Sequence, residues 1–197
     1  MSAFRTDRPV LLPVDMQAAF DSPPWGRSDN PDLDASAARL LAGWRARGLP
    51  VLHVRHDSVE PGSPLAAGEP GNRFRSGSEP LGTEQVVAKS VNAAFLGTDL
   101  DLRLRRLGAT EVVVYGLQLD MCVSTTIRVG ANLGYRMILV ADATAAFGLP
   151  AWGGGTVPAE AIRSAHLATL AAEFCSVRTV QEVLDAIGHD ARPGEVR

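Results

Sequence analysis

Residues 111–126 read EVVVYGLQLDMCVSTT. The run Val112-Val113-Val114-Tyr115 is rich in β-branched and aromatic residues and reads as a buried strand, which Gly116 ends. Six residues after that glycine stands Cys122, one of two cysteines in the chain. A cysteine where a buried strand turns into a helix has two readings. Free cysteine is among the most buried residue types and packs as a small apolar group. A helix start, by contrast, favours a thiolate. The rest of the chain decides between them.

Short apolar runs alternate with helical stripes throughout. Val10-Leu11-Leu12-Pro13-Val14 reads as a buried strand ending at Asp15. Asn30-Pro31 supplies a helix cap with proline in the first turn, and Leu33, Ala37, Leu40, Leu41 and Trp44 form a stripe that stops at Gly48. Pro50-Val51-Leu52-His53-Val54 is a second strand. A helix opens at Thr98–Asp101, with Leu100, Leu104 and Leu107 on one face and Gly108 as its stop. The strand at 111–115 leads into a helix predicted from about Met121 to Leu133. Met137 to Ala141 is a strand, Pro158 to Phe174 a helix and Ser176-Val177-Arg178 a short strand. Thr179-Val180-Gln181-Glu182 is a capping box that opens a last helix. Strands alternating with helices predict an α/β fold, a mostly parallel sheet covered on both faces. Ligands of such sheets bind beyond the C-terminal strand ends near the topological switch point, which places Asp15, Gly116 and Asp142 on one rim.

A chain of 197 residues, 46% hydrophobic and 21% charged, fits one domain spanning 1–197 with a proper core. A net charge of −3 gives no reason to expect nucleic acid or an anionic membrane as partner. No apolar run approaches the roughly 20 residues that span a bilayer. The N-terminal MSAFRTDRP lacks the apolar core of a secretory signal. Two cysteines far apart make a poor disulfide framework, so a reducing cytoplasm is expected. The irregular stretch 56–85 carries four prolines and five glycines and reads as a lid-like segment. A short polar tail follows at about 189–197.

Three polar residues each follow an apolar run: Asp15 ends VLLPVD, Lys89 ends VVAK, and Cys122 lies just past VVVYG. Any one of them could be a surface charge or a packed thiol. Together they make a chemically sensible set. A thiol near its free pKa of about 8.5 is mostly protonated at neutral pH and needs a base, a cation or a helix terminus to activate it. Asp15 can supply the base, Lys89 the cation and the helix near Met121 the terminus.

With these residues in view, the sequence resembles the isochorismatase-like cysteine hydrolases, a group that includes nicotinamidases and N-carbamoylsarcosine amidohydrolases. The resemblance lies in VDMQAAF (14–20), AKSVNAAF (88–95), YGLQLDMCVSTTIRVGANLGY (115–135), VADATAAF (140–147) and HLATLAAEFCSV (166–177). It implies a single Rossmann-like domain with a six-stranded parallel sheet. It also implies that Cys122 is the nucleophile, that Asp15 takes its proton and later returns it to the leaving group, and that Lys89 sits between them. The peptide Leu117–Gln118 would be cis, with the backbone N–H groups of Gln118 and Cys122 forming an oxyanion hole. Leu117, Phe20, Trp25 and Phe95 fall at positions that line the substrate pocket in relatives, and His56 falls at the pocket rim.

Metal-binding relatives use an Asp-x-His pair and a second histidine shortly after. Here the strand end reads His53-Val54-Arg55-His56-Asp57, with the aspartate following, and the next histidine is His166. No metal site and no cofactor are expected. His53 reads as a core histidine, His166 and His189 as structural or solvated, and Cys175 as a small core residue. The leading expectation is hydrolysis of a small amide-like C–N bond through a thioester. Two alternatives stay open: vinyl-ether hydrolysis as in true isochorismatases, for which some relatives lack the cysteine, and a catalytically silent binding protein with the same pocket. The apolar residues Val123, Ile127, Val129 and Leu133, together with Leu149, Trp152 and Val157 in an uncharged loop, predict a homo-oligomer, a dimer or tetramer. The substrate is not selected by anything in the sequence.

Overall fold

The computed structural model describes residue 4 and residues 8–189; residues 190–197 of the polar tail lie outside them. The strands are β1 (Val10–Val14), β2 (Leu52–His56), β3 (Gln85–Lys89), β4 (Glu111–Gly116), β5 (Arg136–Thr144), β6 (Leu149–Pro150), β7 (Thr156–Val157) and β8 (Cys175–Arg178). The helices are α1 (Leu33–Arg45), α2 (Leu100–Arg106), α3 (Ser124–Asn132), α4 (Ala159–Glu173) and α5 (Val180–His189). Six strands form one sheet in the order β3-β2-β1-β4-β5-β8, every neighbouring pair parallel, as the alternation of elements predicts.

The period-2 alternation of the strands divides the core into two layers. Val10, Leu12 and Val14 of β1, Val112 and Val114 of β4, and Met137 and Leu139 of β5 face one layer, with Leu100, Leu104, Ile127, Ile162 and Leu170 from α2, α3 and α4. Leu11, Val113, Tyr115, Ile138 and Val140 face the other, against Leu33, Ala37, Leu40, Leu41 and Trp44 of α1 and Val180, Val183 and Ile187 of α5. The predicted α1 stripe is therefore buried in full. The capping box at α5 also forms: the Thr179 N–H donates to Glu182 Oε2 at 2.8 Å and the Glu182 N–H to Thr179 Oγ1 at 3.2 Å.

Several local expectations change. The helix predicted from Met121 opens instead with a π-helical turn over Leu119–Val123, and regular α3 begins at Ser124. Asn30 contributes less as a cap than as a bracket, its amide donating to the carbonyls of Asp142 and Thr144 at 3.0 and 3.1 Å. Asp142 itself accepts the Val180 N–H at 2.8 Å, so it anchors the start of α5. The uncharged loop after β5 folds as an antiparallel hairpin, β6 with β7. The stretch read as lid-like is fastened to the body: the Arg75 N–H donates to Met16 O at 2.8 Å, and the Arg75 guanidinium pairs with Asp21 and Asp34. Among the described residues no helix is long and apolar enough to cross a membrane.

The order of strands reverses between β1 and β4, and there the two backbones come very close. The Leu117 N–H donates to Val14 O at 3.0 Å. Gly116 takes φ +129°, and a Cβ added to it would lie 2.0 Å from Val14 O. Only glycine fits this crossing. Gly116→Ala should therefore destabilise the fold by about 4 kcal/mol or more, the range reserved for severe steric and backbone conflicts. Denaturant unfolding checks this, and a midpoint close to the parent's would contradict it.

Candidate active site

Four adjacent strand ends each contribute one side chain. Lys89 is the last residue of β3, and the parallel register pairs it with His56, the last residue of β2. Asp15 follows β1, and Cys122 follows β4 in the π-helical turn. Lys89 and His56 lie in step with Val87 and with Leu52 and Val54, so they point toward the α2–α4 layer, which also holds Cys122. Asp15 leaves its strand with φ +50°, a left-handed conformation that aspartate tolerates better than most residues. Its N–H is held by Val54 O at 3.0 Å.

The Lys89 side chain crosses the end of β2 to reach the others. Its Nζ donates to Asp15 Oδ2 at 2.6 Å, to His56 Nδ1 at 3.0 Å and to Cys122 Sγ at 3.2 Å. The Lys89 and Asp15 side chains have no solvent exposure. The thiol in turn lies 3.6 Å from Asn92 Oδ1, to which it donates. Asp15 Oδ1 is buried without a hydrogen-bond partner. The peptide Leu117–Gln118 is cis. The Gln118 N–H has no backbone acceptor among the described residues.

Electrostatics decide where the proton rests. Burial raises the Asp15 carboxyl above the ordinary aspartate range, against the pull of the Lys89 charge. The Cys122 thiol is pushed up to about 12, first by burial and then by the Asp15 charge, with Lys89 opposing. The sequence reading gave a helix start and Lys89 the power to favour a thiolate; burial and the neighbouring carboxylate win. One ammonium balances one anion, so the buried site disfavours a carboxylate and a thiolate together, and the neighbouring carboxylate pushes the thiol toward its protonated form. His56 is held below its ordinary 6.5, first by burial and then by Lys89.

Asp15, His56 and Cys122 offer donor atoms within 4.8 Å of one another. All three converge on Nζ of Lys89, which takes the central position a cation would need. His53 is turned away in the core, its Nε2 2.9 Å from Glu84 Oε2, and Asp57 is held by the Arg55 guanidinium at 2.7 and 2.9 Å. The donor set does not fit a metal centre.

Of the residues expected to contact substrate, His56 meets the Asp15–Lys89–Cys122 cluster directly, as a partner of Lys89. Phe20, Trp25 and Leu117 belong to the opposite, α1-side layer. Phe20 packs on Trp25 with centroids 4.6 Å apart and stacks on Phe147 at 6.1 Å. Phe20, Leu117, Phe147 and Arg75 help line a cavity of about 220 Å³ there. Phe95 lies in the same layer as Cys122, buried and with its ring stacked on Tyr135 at 5.8 Å. Two residues went unread in the sequence, Asn92 beside the thiol and Gln17, which is fully buried and grips the backbone of His56. Their signal was weak, since each is a lone amide near a strand end.

Comparison with known proteins gives the family. Residues 9–182 match the model described as Isochorismatase domain. A streptothricin hydrolase from Streptomyces noursei is 40% identical over 159 residues, covering 77% of this chain and 62% of the relative. A ureidoacrylate amidohydrolase from Methylorubrum extorquens is 31% identical over 185 residues, covering 76% and 74%. A solved structure of an isochorismatase-family protein from Chromobacterium violaceum is similar with a TM-score of 0.92 and 41% identity, covering 95% of this chain and 97% of the other. From β1 into α5, the chain belongs to the isochorismatase family of hydrolases.

Proposed function

We propose that this protein hydrolyses a small amide-like substrate through a thioester on Cys122. The observation that carries the reading is the single buried ammonium of Lys89 touching both Asp15 and the Cys122 sulfur. The relatives named as streptothricin hydrolase and ureidoacrylate amidohydrolase support the C–N bond as the target.

In this reading the sulfur adds to the carbonyl carbon as its proton passes to Asp15, so the negative charge moves from the carboxylate to the carbonyl oxygen. The carbonyl oxygen becomes an oxyanion, held by the N–H groups of Gln118 and Cys122. The tetrahedral adduct collapses as Asp15 protonates the departing nitrogen, leaving the thioester. Asp15 then takes a proton from water, which attacks the thioester, and returns that proton to the departing sulfur, freeing the acid and the thiol. Lys89 keeps the carboxylate beside the sulfur throughout.

A screen of small amides for ammonia release should find a substrate that the Cys122→Ala variant does not turn over. Ammonia release that survives the substitution would refute the nucleophile. Asp15→Asn separates thiol acidity from turnover. Removing the carboxylate charge takes away one cause of the raised thiol pKa and leaves Lys89. Iodoacetamide should then alkylate Cys122 faster at pH 7 than in the parent, while turnover falls at least about 100-fold, as for loss of a general acid–base. Slower or unchanged alkylation would contradict the charge assignment.

We also propose that the chain is a homo-oligomer. Trp152 is fully exposed on the β6–β7 hairpin, in a segment without charge, and Val157 and Leu133 add exposed apolar surface. Light scattering should find a dimer or tetramer, and Trp152→Ala should weaken it by tenfold or more, as loss of an aromatic anchor does. A stable monomer at micromolar concentration would overturn this.

A further inference from the structure

The Lys89 ammonium has three N–H donors and three acceptors, and the third acceptor is a ring nitrogen that the reaction above does not use. An ammonium can only donate, so His56 Nδ1, 3.0 Å away, must carry no proton. The ring is therefore neutral, with its hydrogen on Nε2. We infer that His56 is a positioning residue, whose Nδ1 fixes the Lys89 ammonium at the one point that touches both the Asp15 carboxylate and the Cys122 sulfur.

The backbone around His56 is built for that task. Its N–H donates to Gln17 Oε1 at 2.8 Å, and its carbonyl accepts Gln17 Nε2 and Asn72 Nδ2, each at 3.0 Å. Gln17 Nε2 also donates to Asn72 O at 2.9 Å, so two buried amides clamp the strand end from β1 and from the loop after β2. The register of β2 against β3 then sets His56 directly beside Lys89. Without the ring acceptor, one donor of a fully buried ammonium has no partner, and a flexible four-carbon stem is free to turn away.

Protonation of the ring reverses the contact, because Nδ1–H would face the ammonium. The charged groups around it are Lys89 from β3, Asp15 from β1 and Asp57 on its own strand end. Cys122 joins them from the turn after β4. Asp57 is already occupied by Arg55 and Asn72, so it offers little to a charged ring. Burial and Lys89 keep the ring neutral to a pH below the ordinary 6.5. As pH falls through that lowered value, the site loses the fixed ammonium, and activity should show an acid limb there.

The kinetic arm of the test rests on the amide hydrolase reading; the spectroscopic arm does not. In the full ¹⁵N-labelled chain, nuclear magnetic resonance should show His56 as the Nε2–H tautomer, titrating below 6.5. In kinetics, His56→Leu should lower kcat about 10- to 100-fold, the loss expected for one hydrogen bond to a charged group, with KM changed less than about twofold. His56→Asn places an amide oxygen near the Nδ1 position and does not titrate. It should recover most of the rate and lose the acid limb. A protonated Nδ1, equal impairment of the Leu and Asn variants, or an acid limb that survives in the Asn variant would each overturn the assignment. If no amide is turned over at all, the hydrolase reading falls, and the tautomer still decides the role of His56.

Discussion

A lysine ammonium with no solvent contact must receive its whole solvation shell from the protein, and at Lys89 that requirement organises the site. An isolated buried ammonium is too costly to keep charged. Here Asp15, itself fully buried, supplies the balancing charge at 2.6 Å, and His56 and Cys122 supply the remaining acceptors. The three acceptors come from three different strand ends, and the cation from a fourth. Parallel strands lie roughly 4.8 Å apart, so only a side chain as long as lysine can start on β3, pass β2 and still touch groups beyond β1. The sheet order β3-β2-β1-β4 is what makes the cluster possible.

The same constraint fixes the resting chemistry. A low-dielectric pocket with one cation accepts one anion, and the carboxylate holds that place. The thiol is consequently a poor nucleophile at rest, pushed up to about 12. In the reaction proposed above, Asp15 accepts the thiol proton, and the sulfur it leaves already touches Lys89. The ammonium does not need to move, because it already touches both atoms. Preorganisation of this kind avoids solvent reorganisation at the moment of reaction.

The sequence makes the sheet and the three polar strand ends legible because both signals are local. VLLPVD, VVAK and VVVYG each show a buried run followed by a residue that has no place in a core. What stays hidden is what those residues meet. The bond from Gln17 to His56 spans 39 positions and that from Gln17 to Asn72 spans 55, and no periodicity announces a contact between distant amides. The stacking of Phe95 on Tyr135 is hidden for the converse reason: in sequence, an aromatic shortly after a strand end looks the same whichever neighbour its ring meets. Asn30 carries a cap signal, yet its amide is taken by β5 from more than 110 positions away. The assignment of roles to Asp15, Lys89 and Cys122 comes from the family resemblance, and the structure supplies the distances.

Composition says little about how the loop between β2 and β3 is held. Proline and glycine mark it as irregular. Its polar side chains tie it to the body. Asn72 holds the carbonyls of His56 and Leu65, at 3.0 and 2.8 Å. Arg75 bridges Asp21 and Asp34 across the start of α1. Glu84 takes the Arg45 guanidinium through both oxygens at 2.8 Å and also meets the Leu81 N–H and His53; against the cost of burial these bonds, Arg45's first, lower its pKa to about 2. Apart from the Leu65 carbonyl within the loop, these ties end on β2, on α1 or on the segment after β1. Apart from the 3-10 turn Pro70–Asn72, the loop follows these anchors instead of a repeating ladder, and through Asn72 it holds the backbone of His56, whose ring meets Lys89.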